Sequence, residues 1–306
     1  MVNIRLVNVV KKRVIVIKEK EYIIFGEVLY DCFPNGDKVP GGAPFNIAWG
    51  LRGFGYSPTL VSAVGNDNDG TELLEQIRSW GLDDSELQID TAHQTGSVSV
   101  SLSDEEARYE IDAPRAWDFI RDNSLKAGHL LYHGSLALRS PASYETFTSL
   151  LKRSADAIRF FDVNLRPPHY TLESVKDLMR GVEWLKLNLD ELQEITGRSE
   201  IKMENAAEVL EQLQADFGIG NILLTGGSQG AIIRGADELV AKIPAPSPGS
   251  VIDTVGAGDG FTVVTLRGIL KGLPLKQIVD EASTFAAKIC QMRGAISPDP
   301  EFYRIL

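Results

Sequence analysis

Cysteine is nearly missing from this chain, with two residues, Cys32 and Cys290, in 306. Two thiols cannot build a disulfide framework or a cysteine-rich zinc site. Histidine is scarce as well, at four residues. His129 and His133 stand four apart, but His-Leu-Leu-Tyr-His reads as a strand and lacks the Glu of a helical zinc motif. No stretch approaches the ~20 apolar residues of a membrane span. The first twenty residues break their short apolar runs with Arg5, Lys11, Lys12, Arg13, Lys18 and Lys20, unlike a signal peptide with its uninterrupted apolar run. They read as a variable basic extension or an extra edge strand, and cytoplasm is the expected location. Basic residues are in deficit, 31 Lys and Arg against 42 Asp and Glu, for a net charge of −11. A chain that binds phosphate backbones needs a basic surface, so nucleic acid is not the expected partner. Two nucleotide motifs are missing: Gly-x-x-x-x-Gly-Lys-Ser/Thr, and Gly-x-Gly-x-x-Gly after the first strand. P-loop and dinucleotide-binding architectures are thereby excluded.

What is present is a long alternation. Apolar runs at 22–25, 59–64, 129–132, 158–161, 184–187 and 222–225 are short and rich in β-branched or aromatic residues, so strands are predicted there. Several are apolar on both faces, as in a parallel sheet covered by helices. Helical patterns at 71–80, 143–154, 174–181, 204–217 and 276–292 lie between or after them. Right-handed βαβ units in one α/β domain, residues 21–306, are the expectation. One region departs from this rhythm. Thr95–Ser103 alternates strictly, an acidic Asp104-Glu105-Glu106 follows, and Arg108-Tyr109-Glu110-Ile111 alternates again. This predicts a hairpin, polar on one face. With the Gly- and Pro-containing segment 31–44 it would form a small β-sheet, with lid segments at 31–44 and 95–117.

The chemistry concentrates in glycine-rich blocks. Asp253-Thr254-Val255-Gly256-Ala257-Gly258-Asp259 precedes a helical pattern. Glycines there leave backbone N–H groups bare at a helix start, where anions are favoured. An acid in that first turn suits a base that takes a proton from a nucleophile attacking phosphate. A glycine turn with an acidic cap is the plainer reading of the same residues. Near the start, Gly26-Glu27-Val28-Leu29-Tyr30-Asp31 and Gly41-Gly42-Ala43-Pro44-Phe45-Asn46 bring Asp31, Gly42 and Asn46 to one rim. Short carboxylates and amides beside bare backbone suit sugar hydroxyls. Asx turns and capping account equally for each residue taken singly.

Together these blocks resemble the ribokinase-like, PfkB-type family of carbohydrate kinases, fructokinases in particular. The signatures are Gly-Gly-x-x-x-Asn at 41–46 and Asp-Thr-x-Gly-Ala-Gly-Asp at 253–259. Between them stand Asp162-Val163-Asn164-Leu165-Arg166-Pro167-Pro168, Lys186-Leu187-Asn188-Leu189-Asp190-Glu191 and Leu224-Thr225-Gly226-Gly227-Ser228-Gln229-Gly230. The resemblance implies a mostly parallel central sheet with helices on both faces and a small β-lid. It implies phosphoryl transfer from ATP to a sugar with Mg²⁺. Asp259 would be the base, and the N–H groups of Gly256, Ala257 and Gly258 the anion hole. Asp31, Gly42, Asn46 and Arg166 would hold the sugar. Asn188 and Glu191 would hold phosphate and, through water, Mg²⁺. Thr225, Gly227 and Gly230 would line the nucleotide. Asp253 and the Gly294-Ala295 turn match a region where some relatives bind a monovalent cation, making K⁺ a candidate cofactor. Lys186 is either structural or a nucleotide contact, and Arg166 either a sugar contact or half of an ion pair.

Fructose is the leading substrate, on Gly-Gly-Ala-Pro-Phe-Asn and Asn-Leu-Arg-Pro-Pro. A sugar acid such as 2-keto-3-deoxygluconate is second, with Arg166 pairing its carboxylate. A nucleoside is third, with Tyr109 and Trp117 as stacking candidates. A catalytically silent sugar-binding regulator is the reading from another class. Relatives dimerise through their lids, so a homodimer is expected, with sugar and ATP as the small-molecule partners and no membrane.

Overall fold

The computed structural model describes residues 21–103, 106–242, 245–247 and 249–304. The basic extension and the Asp104-Glu105 pair lie outside those residues, and so does the side chain of Tyr109. Thirteen strands run in chain order: β1 (Tyr22–Phe25), β2 (Leu29–Cys32), β3 (Lys38–Gly41), β4 (Pro58–Gly65), β5 (Leu87–Asp90), β6 (Gly96–Ser103), β7 (Glu106–Ile111), β8 (Leu130–His133), β9 (Ile158–Asp162), β10 (Trp184–Asn188), β11 (Asn221–Thr225), β12 (Ala231–Arg234) and β13 (Leu239–Lys242). The helices are α1 (Ala43–Gly53), α2 (Asn68–Trp80), α3 (Pro141–Arg153), α4 (Leu172–Met179), α5 (Leu189–Thr196), α6 (Ala206–Phe217), α7 (Ala257–Lys271) and α8 (Leu275–Ile289).

Nine strands form one sheet in the order β13-β12-β11-β10-β9-β8-β1-β4-β5. The seven from β11 to β5 are parallel; β12 pairs antiparallel with β11, and β13 antiparallel with β12. The six expected strands are all there, displaced by a residue or so at their ends. Their alternation distributes side chains to two faces. Ile24, Phe160, Trp184 and Leu223 go to one core with residues of α1, α2, α7 and α8. Phe161, Leu185, Leu187, Ile222 and Leu224 go to the other side with residues of α4, α5 and α6. Ile23 and Phe25 join Phe147 and Leu150 of α3 on that second face. Both faces are therefore dry, which explains why these strands carry few polar residues.

His133 ends β8, fully buried, with its ring stacked on Phe161 at 4.7 Å and Nδ1 against the Gly134 carbonyl at 3.2 Å. It is a core residue. His129 instead places Nδ1 by the Glu21 amide at 3.3 Å.

A second sheet of four strands, in the order β3-β2-β6-β7, departs from the body. β6 and β7 are the expected hairpin, and β2 joins it in parallel, with Asp31 opposite Val98. The 31–44 segment does add to it, because β3 pairs antiparallel with β2 and places Asp31 opposite Val39.

Candidate active site

The carboxyl ends of the parallel strands share one edge of the large sheet, where open α/β sheets bind ligands. Asp162 ends β9, Asn188 ends β10 and Thr225 ends β11, with Asn188 and Thr225 in direct register. Glu27 follows β1. The starts of α1 and α7 come to the same edge.

Both helices begin on glycine. Gly42 caps α1 at φ 101° and Gly256 caps α7 at φ 78°, and neither helix has a side-chain cap. These conformations favour glycine, and space demands it too. A Cβ on Gly42 would lie 2.6 Å from the Glu27 carbonyl oxygen, and one on Gly256 2.3 Å from Ala295. Neither start is fully open, however: the Ala257 N–H turns back to the Thr254 carbonyl at 3.3 Å, and Pro44 in the first turn of α1 has no N–H.

The two starts meet through one bond. Asn46 Nδ2 donates to Asp259 Oδ2 at 2.7 Å across 213 residues of chain. Burial pushes the Asp259 carboxyl up to about 6, against the lowering effects of the Asn46 bond and Lys186; Asp162 adds to the rise. Asp31 is likewise pushed up to about 6, by burial first, with Arg166 lowering and Asp259 raising it. Asp31 sits against the glycine pair, since a Cβ on Gly41 would lie 2.7 Å from its Oδ2. Arg166 is exposed, spends Nη1 on its neighbour's carbonyl, Leu165 O, at 2.9 Å, and acts electrostatically on Asp31, Glu27 and Asp259. Asp31, Gly42, Asn46, Arg166 and Asp259 therefore gather at one place, as their motifs predicted.

Asn188 and Glu191 have a more local task. Asn188 Oδ1 accepts the Glu191 N–H at 2.8 Å, and Glu191 Oε2 accepts the Asn188 N–H at 2.7 Å, a reciprocal cap on α5. The other carboxylate oxygen, Oε1, takes the Leu165 N–H at 2.8 Å. Glu191 thereby ties the start of α5 to the loop that carries Arg166. Asp253 is similarly engaged: Oδ1 accepts from Val255 N and Oδ2 from Gly294 N, both at 3.0 Å. It closes the turn before α7 onto the Gly294-Ala295 turn. Among the described residues no three His, Cys, Asp or Glu side chains gather into a metal cage. Both Glu191 oxygens are engaged by backbone N–H groups and the side chain is buried, so it could meet Mg²⁺ only through the water shell of an ion carried on phosphates. Thr225, Gly227 and Gly230 border the loop after β11, which the Gly226 N–H closes on the Gly230 carbonyl at 2.8 Å.

Two residues of the site carried no role in the sequence reading. Glu27 is 3% exposed with Oε2 unbonded, and burial pushes it up to about 7. Asp162 accepts Lys186 Nζ on both oxygens at 2.8 Å and Thr262 Oγ1 at 3.2 Å. The signal was available in each case: a charged residue inside or ending an otherwise apolar strand needs a partner or a purpose. Trp117, by contrast, leaves the site. It is fully buried under the Arg139 guanidinium, 4.4 Å from its ring, and cannot stack on a nucleoside.

The family model for pfkB carbohydrate kinases matches residues 13–301. The chain belongs to that family. It is therefore a carbohydrate kinase, a phosphotransferase acting on a sugar hydroxyl. An uncharacterized sugar kinase from Pyrococcus horikoshii is 31% identical over 85% of this chain and 84% of its own length. Its structure in complex with ATP superposes with a TM-score of 0.77 over 90% of this chain and 93% of that one. A fructokinase from Escherichia coli is 26% identical over 90% of this chain and 95% of its length. A Vibrio cholerae fructokinase double mutant, in fructose, ADP and potassium ion bound form, shares the fold with a TM-score of 0.78 at 23% identity, covering 94% and 98%. No helix among the described residues is long and apolar enough to cross a membrane.

Proposed function

We propose that this kinase uses ATP to phosphorylate a neutral free sugar, fructose to fructose 6-phosphate first among candidates, with Asp259 as the base. The observation that carries the reading is the meeting of two bare helix starts at the Asn46–Asp259 bond. A sugar hydroxyl placed there gives its proton to Asp259 while its oxygen bonds to the γ-phosphorus. The bond from that phosphorus to the bridging oxygen breaks, and ADP leaves with the electron pair. The N–H groups of Gly256 and Gly258 would face the charge that develops, and that of Ala257 would leave the Thr254 carbonyl to join them. Asp259 supplies this base at neutral pH, because a carboxyl pushed up to about 6 is ionised there and still takes a proton well.

The acceptor end supports a neutral sugar. Glu27, Asp31 and Asp259 set three carboxyls around Arg166, so hydroxyl donors suit this end better than an anionic sugar. ATP follows from the P. horikoshii relative, which is in complex with it. Mg²⁺ supplies charge neutralisation on the phosphates, and Glu191 and Asn188 would hold its water shell. Thr225, Gly227 and Gly230 would line the nucleotide, and K⁺ would rest on carbonyls around the turn that Asp253 closes. The four-stranded sheet serves as a lid and as the face of a homodimer, a dimer that a monomeric mass at micromolar concentration would exclude.

Exposed Arg166 favours one second reading, a sugar-acid acceptor clamped by its guanidinium. ADP release with Mg-ATP across fructose, ribose, tagatose, 2-keto-3-deoxygluconate, adenosine and a blank separates them. Fructose well above the rest is expected. The keto acid ahead of fructose would overturn the neutral-sugar reading, and no turnover with thermal stabilisation by a sugar would point to a regulator.

A further inference from the structure

Lys186 is an ammonium placed inside a strand whose neighbours are apolar. It is 8% exposed, and its partner Asp162 is 1% exposed. The two stand opposite each other on β10 and β9, and Nζ reaches both carboxylate oxygens at 2.8 Å. Such a pair is a poor way to gain stability, since burying two charges costs about as much as their attraction returns. Its surroundings point to the site instead. A Cβ on Gly258 would lie 3.8 Å from Nζ, so the ammonium sits directly under the glycine turn. Thr262 Oγ1 bonds to Asp162 Oδ2 at 3.2 Å and to the Gly258 carbonyl at 3.0 Å, linking the pair to the turn.

We propose that Lys186 and Asp162 form a positioning pair for phosphoryl transfer, the ammonium balancing the Asp259 carboxylate and Asp162 holding the glycine turn through Thr262. The inference rests on Asp259 being the base, as proposed above. The groups facing Asp259 are Asn46 on α1, Lys186 on β10, Asp162 on β9, Arg166 after β9, Glu27 after β1, Asp31 on β2 and Tyr132 on β8. Glu191 faces Lys186 from α5. Lys186 and Asp162 act on Asp259 with opposite signs, the first lowering and the second raising its pKa.

The test is the pH profile of kcat/KM, with thermal unfolding, for Lys186→Met, Asp162→Asn, Lys186→Arg and the double variant Lys186→Met/Asp162→Asn. Lys186→Met should move the acid limb to higher pH and lower kcat about tenfold or more, with the sugar KM within about threefold. Asp162→Asn should move the limb to lower pH, and Lys186→Arg should keep it in place. The double variant removes both charges of the pair together and so avoids the unpaired partner that each single variant leaves. Its limb should return near the wild-type position with kcat still about fivefold down. Single variants that shift the limb in the same direction, or not at all, overturn the proposal, as does a double variant with wild-type kcat. Asp259→Asn, assayed alongside, separates the two readings. Turnover retained there removes the base and this inference with it. Turnover lost there, with an unmoved limb in Lys186→Met, removes the positioning pair alone.

Discussion

Two groups of helices in this protein begin differently. α2, α4 and α5 are capped by their own side chains, with Asp67, Thr171 and Asn188 accepting the N–H of Gly70, Ser174 and Glu191. Each buries a single stripe, four residues in the case of α2. α1 and α7 start on positive-φ glycines with no side-chain cap, and each is buried along nine consecutive residues. The capped helices satisfy their own ends and cover the sheet. The uncapped pair is held by packing along its middle turns, so its stability does not depend on a side-chain cap. A helix start without a cap, inside a core that can support it, marks the site better than any single side chain here.

The comparison breaks most easily at the bare starts. Gly256→Ala should lower turnover by about two orders of magnitude or more, because the new Cβ lies 2.3 Å from Ala295 and the turn must shift. Wild-type kcat in that variant would show that the turn is not part of the machinery. Gly42→Ala should act mainly on the acceptor, raising the sugar KM about tenfold by pressing on the Glu27 carbonyl. An unchanged KM would separate Gly42 from the sugar. Asn46→Ala removes the bond that lowers the Asp259 pKa, so the acid limb of kcat/KM should move to higher pH, above the wild-type position near 6. A limb that stays or falls would contradict the link between the helix starts. At a capped start, Asn188→Ala should cost about 1 kcal/mol of stability, read by urea unfolding. A raised ATP KM beside that loss would support Asn188 at the phosphates as well, and an unchanged KM would leave it a cap alone.

The smallest effect concerns pH and stability. Asp259 has its pKa raised on folding, so it contributes stability below the unfolded carboxylate range and loses it as pH rises through about 6. Asp259→Asn should therefore raise the Tm slightly at pH 7.5 and not at pH 4. The reverse pattern would place a stronger partner on the carboxylate than burial.

Much of this was legible before the fold was known, and the remainder failed for a physical reason. Strand positions followed from apolar runs buried on two faces, and the site followed from glycines flanking Asn46 and Asp259. Asn188 and Glu191 were legible as a pair but not as a cap, because phosphate binding and a helix start ask for the same spacing. Asp162 and Lys186 lie 24 residues apart and meet only because β9 and β10 are neighbours, which no local pattern records. Glu27 stood in the Gly26–Asp31 block without a role, and its burial comes from the approach of Gly42 in the folded chain.

The most direct measurement compares fructose-dependent ADP release by the wild type and Asp259→Asn at saturating Mg-ATP, with fructose affinity measured in parallel. The account predicts a loss of kcat of about 10²–10⁴ with sugar affinity nearly unchanged. Turnover within a few-fold of wild type would contradict it, for the meeting of α1 and α7 would then hold no base.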